Sequence, residues 1–199
     1  QGWGLINLTN SLPIGLSNSF AQAAAPMQLF DQNPEEALAT GQSHTRFVSL
    51  SLAATNQPLR VTLVWTDPPG NPAASLKLVN NLDLVVTNLD TGEVFFGNDI
   101  PAGGSFNPPW DTNTMPNLDV VGNVENVYLS PALATNYSVT VIAHDVNVNA
   151  VTGRTNDVVQ DYALVISSGD GQEPDALTVT NAPVVSETPA KVPATVPVP

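Results

Sequence analysis

The chain has 199 residues, 42% hydrophobic and only 12% charged, with five basic residues against eighteen acidic ones and a formal charge of −13. Phosphate binding needs clustered Lys and Arg, so this balance argues against nucleic acid and against anionic membrane surfaces as partners. The chain has no cysteine, hence no disulfide, thiolate nucleophile or zinc–thiolate site, and no apolar run approaches the roughly 18 residues of a membrane span. Asn, Thr, Ser and Gln supply the polar surface and no Lys-, Glu- or Leu-rich run suits a long helix, so the class is all-β.

Gln1-Gly2-Trp3-Gly4 and Leu5-Ile6-Asn7-Leu8 open the chain, which reads as a piece of a longer precursor because it lacks an initiating Met and a signal-peptide pattern. Residues 20–43 read as a connection with one short strand near Met27–Phe30. Alternating segments follow at Arg46–Leu52, Leu59–Thr66, Leu82–Thr87, Glu93–Phe96, Glu125–Ser130, Tyr137–His144 and Asp161–Ser167. Asp67-Pro68-Pro69-Gly70, Asp90-Thr91-Gly92 and Ser168-Gly169-Asp170-Gly171 supply turns between them. About eight short strands predict a jelly-roll-like β-sandwich. Residues 97–124 lack periodicity, and a loop of that length is usually pinned or functional. Residues 171–199 form a Pro-punctuated, extended tail that cannot build a core.

Catalysis finds little support. A serine-protease triad needs a nucleophile held by a His and an Asp, but His44 and His144 are the only histidines and no Gly-x-Ser-x-Gly elbow occurs. Trp65 shares a strand face with Val61 and Leu63, a core position rather than a ligand platform. Between Lys77 and Arg154 there is no Lys or Arg, while Asp83, Asp90, Glu93, Asp99, Asp111, Asp119, Glu125 and Asp145 fall in that interval. Such carboxylates form either a solvated acidic surface or a cation site.

A series of motifs in order carries a resemblance. Gln1-Gly2-Trp3-Gly4 with Ile6-Asn7-Leu8 resembles the end of a subtilisin-like catalytic domain. Leu63–Gly70, Leu78–Leu84, Gly97-Asn98-Asp99, Asn123–Val127 and Asp161–Val165 resemble the C-terminal β-barrel domain of large secreted subtilisin-like serine proteases, with Leu5 where the family often has Arg and Asn81 where it often has Asp. The resemblance covers roughly residues 1–168. It implies that residues 1–19 are the end of or exit from a catalytic domain and pack on the sandwich and that 20–170 form the sandwich, while 171–199, which it does not cover, read from composition as an extended Pro-rich tail or linker.

It also implies calcium. A hard cation takes six to eight oxygens, and Asp67, Asn81, Asp83, Asn98, Asp99 and Glu125 are the candidate ligands, which serve equally well as turn-capping side chains. The leading function is a secreted, extracellular, non-catalytic domain that stabilises its parent protease or positions substrate, with the protease's catalytic domain as partner. A second is a self-assembling module, filament or oligomer, whose Leu177–Thr180 and Val184-Val185 add to a neighbouring copy's sheet edge. A third, a carbohydrate-binding module, fits the fold but lacks an aromatic strip.

Overall fold

Alternation decides which side of each strand is dry. In the computed structural model, which describes residues 26–169 and 175–181, Leu59, Val61 and Leu63 are fully buried while Arg60 and Val64 between and after them are exposed. Trp65 continues the buried face and donates its indole N–H to the Asn80 carbonyl at 2.9 Å, satisfying the one polar atom it carries inward.

Among the described residues there are nine strands: β1 Met27–Asp31, β2 Ser43–Leu50, β3 Leu59–Val64, β4 Asn80–Asn88, β5 Val94–Phe96, β6 Val124–Leu129, β7 Asn136–Val146, β8 Ala163–Ser168 and β9 Leu177–Asn181. They make a four-stranded sheet, β1-β8-β3-β6, and a five-stranded sheet, β5-β4-β7-β2-β9. Every pair is antiparallel. The pairs β4·β5, β3·β6, β2·β7 and β1·β8 nest one inside the next, the pattern of a long hairpin rolled into a jelly roll. Its tip is the β4–β5 turn, where Gly92 has φ +80° and the Asn88 side chain accepts from the Asp90 and Thr91 N–H groups. The core lies between the sheets, with Leu84, Val86, Val127, Val139, Val141 and Ile166 at its centre.

Leu177–Asn181 forms a strand, and the segment Leu177–Thr180 that the self-assembly reading would add to a neighbouring copy is paired within its own chain. It lies along its own chain's β2, with Leu50 opposite Leu177 and Arg46 opposite Asn181. The reason is burial: Ala176 and Leu177 are fully enclosed in the core, and the Ala176 carbonyl accepts from Ser51 N–H. Residues 177–181, read from the sequence as part of the tail, thus belong to the five-stranded sheet. Val184-Val185 and the first 19 residues lie outside the described residues.

The loop between β5 and β6 is pinned on two sides. Its Trp110 and Leu118 cover Val85, Phe96 and Ile142 on the outer face of the five-stranded sheet, Trp110 meeting Phe96 edge-on at 5.6 Å. Its Asn98 and Asn107 imitate a neighbouring strand along the edge of β6. Asn98 N–H donates to the Asn126 carbonyl at 2.9 Å while its Oδ1 accepts from Asn126 N–H at 2.9 Å. Asn107 repeats this with Tyr128 at 2.8 and 2.7 Å. A sheet edge that would invite another chain is closed by two side-chain amides.

Candidate functional site

Glu125 lies where β4 and β6 approach one another, near enough to Asp83 to feel its charge. Glu125 is an acid on the core side of β6, two residues before Val127 and four before Leu129 in the same inward series, and it is almost fully buried. It reaches the buried edge of β4 just past the end of β5, where among the described residues Leu84 N–H has no strand partner and donates to Glu125 Oε2 at 2.6 Å. Gly97 makes room: a Cβ there would sit 2.7 Å from the Glu125 Cδ.

The other oxygen, Oε1, is buried without a hydrogen-bond partner among the described residues. Burial and the nearby charge of Asp83 push the Glu125 carboxyl up to about 9, against the opposing pull of the Leu84 N–H. It carries a proton at neutral pH.

Asp83 belongs to the outer face of β4 and is itself buried, with His144 Nδ1 2.7 Å from its Oδ2. That hydrogen bond, against the opposing effect of burial, raises the His144 imidazole above its ordinary value. Asn81 lies on the same face, its amide nitrogen 3.5 Å from Asp83 Oδ1 and its Oδ1 buried without a partner.

Of the six expected ligands, Asn81, Asp83 and Glu125 thus share one neighbourhood. The other three are engaged in local structure. Asp67 closes the β3–β4 connection by accepting from Val79 N–H at 3.0 Å and Asn80 N–H at 2.7 Å. Asn98, at φ +57°, closes the edge of β6 and donates to Asp119 Oδ2 at 2.6 Å and to the Val124 carbonyl at 2.8 Å. Asp99 accepts from the Asn117 amide at 2.9 Å at the surface.

Among the described residues no group of three or more His, Asp or Glu side chains is placed to hold a metal ion. Of these six residues, Asn81 Oδ1 and Glu125 Oε1 are the buried side-chain oxygens without a hydrogen bond among the described residues, and calcium takes six to eight oxygens. The structure thus gathers three of the six residues and engages the other three in local hydrogen bonds.

Two participants were not among the six expected ligands. His144 is the partner of Asp83, and the signal was its place two residues beyond Ile142 on the outer face of β7. Asp119 organises the end of the long loop, accepting from Val121 and Gly122 N–H groups as well as from Asn98. Burial would raise its pKa, but those bonds outweigh it and hold the carboxyl below its usual range. Asp119 two residues before Val121 and three before Gly122 is a turn-capping pattern readable in sequence.

The histidines frame the catalytic question. His44 sits within hydrogen-bond distance of Gln32 Nε2 at 2.9 Å and Tyr162 Oη at 3.0 Å, and burial lowers its pKa, with the charge of Arg46 acting in the same direction. Among the described residues neither imidazole is hydrogen-bonded to a serine hydroxyl.

Fold and site define an all-β jelly roll with a buried carboxyl pair at one sheet edge. No protein-family model matches the chain. It is similar to three Dictyostelium discoideum proteins named serine protease/ABC transporter B family proteins. With tagB it shares 28% identity over 189 residues, covering 86% of this chain and 9% of that protein. With tagD the figure is 46% over 70 residues, 35% of this chain and 4% of that protein; with tagA it is 29% over 134 residues, 66% and 7%. The chain spans less than a tenth of the length of these relatives, whose names say serine protease without saying of which class.

Proposed function

We propose that this chain is a non-catalytic accessory domain of a secreted, subtilisin-like serine protease, stabilising the protease or positioning its substrate. The observation that carries the reading is the similarity of most of the chain to a small stretch of a much longer protein named a serine protease. The ordered motifs from Leu63-Val64-Trp65-Thr66-Asp67 to Asp161-Tyr162-Ala163-Leu164-Val165 support the subtilisin-like class, and export follows from that resemblance. Each histidine is occupied by a structural partner, which supports a non-catalytic role. The isolated chain should hydrolyse neither casein nor chromogenic peptides. Deleting the sandwich, residues 26–181, from the full-length polypeptide should shorten the half-life of its proteolytic activity on heating. Turnover by the purified chain that maps to one of its own residues, or an unchanged half-life after the deletion, overturns the reading.

A second reading rests on the orphaned oxygens of Asn81 and Glu125. Those two residues and Asp83 would hold a calcium ion, which supplies a positive charge between carboxyl groups that otherwise repel. Glu125 must give up its proton to serve, so loading calcium at neutral pH should release a proton as well as raise the melting temperature. Identical melting curves in chelator and in millimolar calcium refute this reading and leave the accessory role intact.

A further inference from the structure

Two buried donors without an acceptor among the described residues, Arg46 Nε and Gln28 Nε2, lie on the side of the sandwich where β1 of one sheet faces β2 of the other. Side chains from both sheets meet along this seam. Gln32 Nε2 stands 2.9 Å from His44 Nδ1, and the Arg46 guanidinium lies 4.6 Å above the Phe30 ring centroid. Gln28 is two residues before Phe30 on the same side of β1, so the positions that carry the two donors are about 7 Å apart along the seam. A buried donor left unpaired costs free energy that an incoming acceptor restores.

Arg46 also lacks a counter-charge. The ion pairs among the described residues are His144–Asp83 and Arg154–Asp157, in a chain with eighteen acidic side chains and a formal charge of −13. Arg46 Nη1 donates to Tyr162 Oη at 2.9 Å, and the Phe30 ring covers one face of the guanidinium. Those contacts fix its plane. They leave open, among the described residues, the edge that carries Nε and Nη2, which takes both oxygens of a carboxylate side-on.

We propose that this seam binds a carboxylate of a peptide, with the Nε edge of Arg46 on the two carboxylate oxygens and Gln28 Nε2 donating to a backbone carbonyl of the same peptide. The two positions are farther apart than one carboxylate spans, and their spacing suits a carboxylate and a carbonyl one or two residues away. The carboxylate is the C-terminus of the peptide or an Asp or Glu side chain within it. The proposal stands independently of the protease reading.

The test follows the Nε–Hε resonance of Arg46 in proton–nitrogen NMR spectra of the full chain, assigned by its loss in Arg46→Gln. Three probes are titrated: acetyl-Ala-Leu-Ala with a free C-terminus, acetyl-Ala-Glu-Ala-amide and acetyl-Ala-Leu-Ala-amide. The expected result is a saturable shift with the first or the second, which tells a terminal from a side-chain carboxylate, and none with the third. Read from the backbone amides of β1 and β2, Arg46→Lys, which keeps the charge and loses the fork, should weaken binding about tenfold. Gln28→Leu should weaken it several-fold. No saturable shift with either carboxylate peptide, an equal shift with the amide peptide, or unchanged binding in Arg46→Lys overturns the proposal. So does a shift as large as the peptide's, with no peptide added, on changing Asp170→Asn, Glu173→Gln and Glu187→Gln together, because an acid of the chain itself then holds the fork.

Discussion

Replacing Glu125 by Gln isolates the consequence of burying an acid on the core side of β6. The glutamine keeps the shape and an acceptor for Leu84 N–H but has no proton to lose. In the unfolded chain Glu125 ionises near 4.5, whereas the fold holds it at about 9. A group whose folded pKa is raised contributes stability in full below the unfolded value, and that contribution is lost as pH rises toward the folded value. Between those two values the folded state binds one proton more than the unfolded state, so stability falls with rising pH at about 1.4 kcal/mol per pH unit. At pH 7, two and a half units above the unfolded value, the cost is about 3 kcal/mol, which Glu125→Gln removes. Urea unfolding in the presence of chelator, from pH 5 to 8.5, should show the variant more stable than the parent at pH 7. The gap should widen with pH and nearly close at pH 5. Parallel stability curves for the two proteins would refute the assignment of the extra proton to Glu125.

Gly97→Ala would drive a methyl group into the Glu125 side chain and should cost about 1–3 kcal/mol in urea unfolding, less in a Glu125→Ala background where the obstruction is gone. Leu177→Ala, at a fully buried position of β9, should cost about 2–5 kcal/mol while light scattering still finds the parent's molecular mass. His144→Gln removes the partner of Asp83. Because folding raises the imidazole pKa, its contribution is full below the unfolded value and fades as pH rises through the folded value, so thermal melts should show a larger loss at pH 5.5 than at pH 8.5.

The sandwich was legible because period-2 alternation and turn chemistry are local properties. Val61, Leu63 and Trp65 announce a dry face without reference to anything distant. The partner of β9 was not legible, since Leu177–Thr180 has the same strand character whether it meets β2 of its own chain or of another. Only the burial of Leu177 among residues far away in sequence decides the matter. The site was half legible. Asn81 and Asp83 two apart on one strand do meet, and Glu125 in phase with Val127 and Leu129 was a readable acid on a core face. Asp67 and Asn98 have the residue types of ligands, but backbone N–H groups without strand partners claim their oxygens first. That competition is settled by three-dimensional geometry.

The nesting of the strand pairs has a consequence for how such a domain is made. A polypeptide emerges from the ribosome N-terminus first, yet β1 has to wait for β8, with Met27 opposite Ser167, and β2 has to wait for β7 and β9. The first pair able to close is β4·β5, around the Asp90-Thr91-Gly92 tip, and each later pair joins residues farther apart in the chain. During synthesis β1 and the flank of β2 remain open edges until nearly the whole domain has been translated. Anything encoded upstream must coexist for that interval with unpaired strands. The low charge and the many Asn and Thr side chains of this sequence then govern solubility before they govern structure.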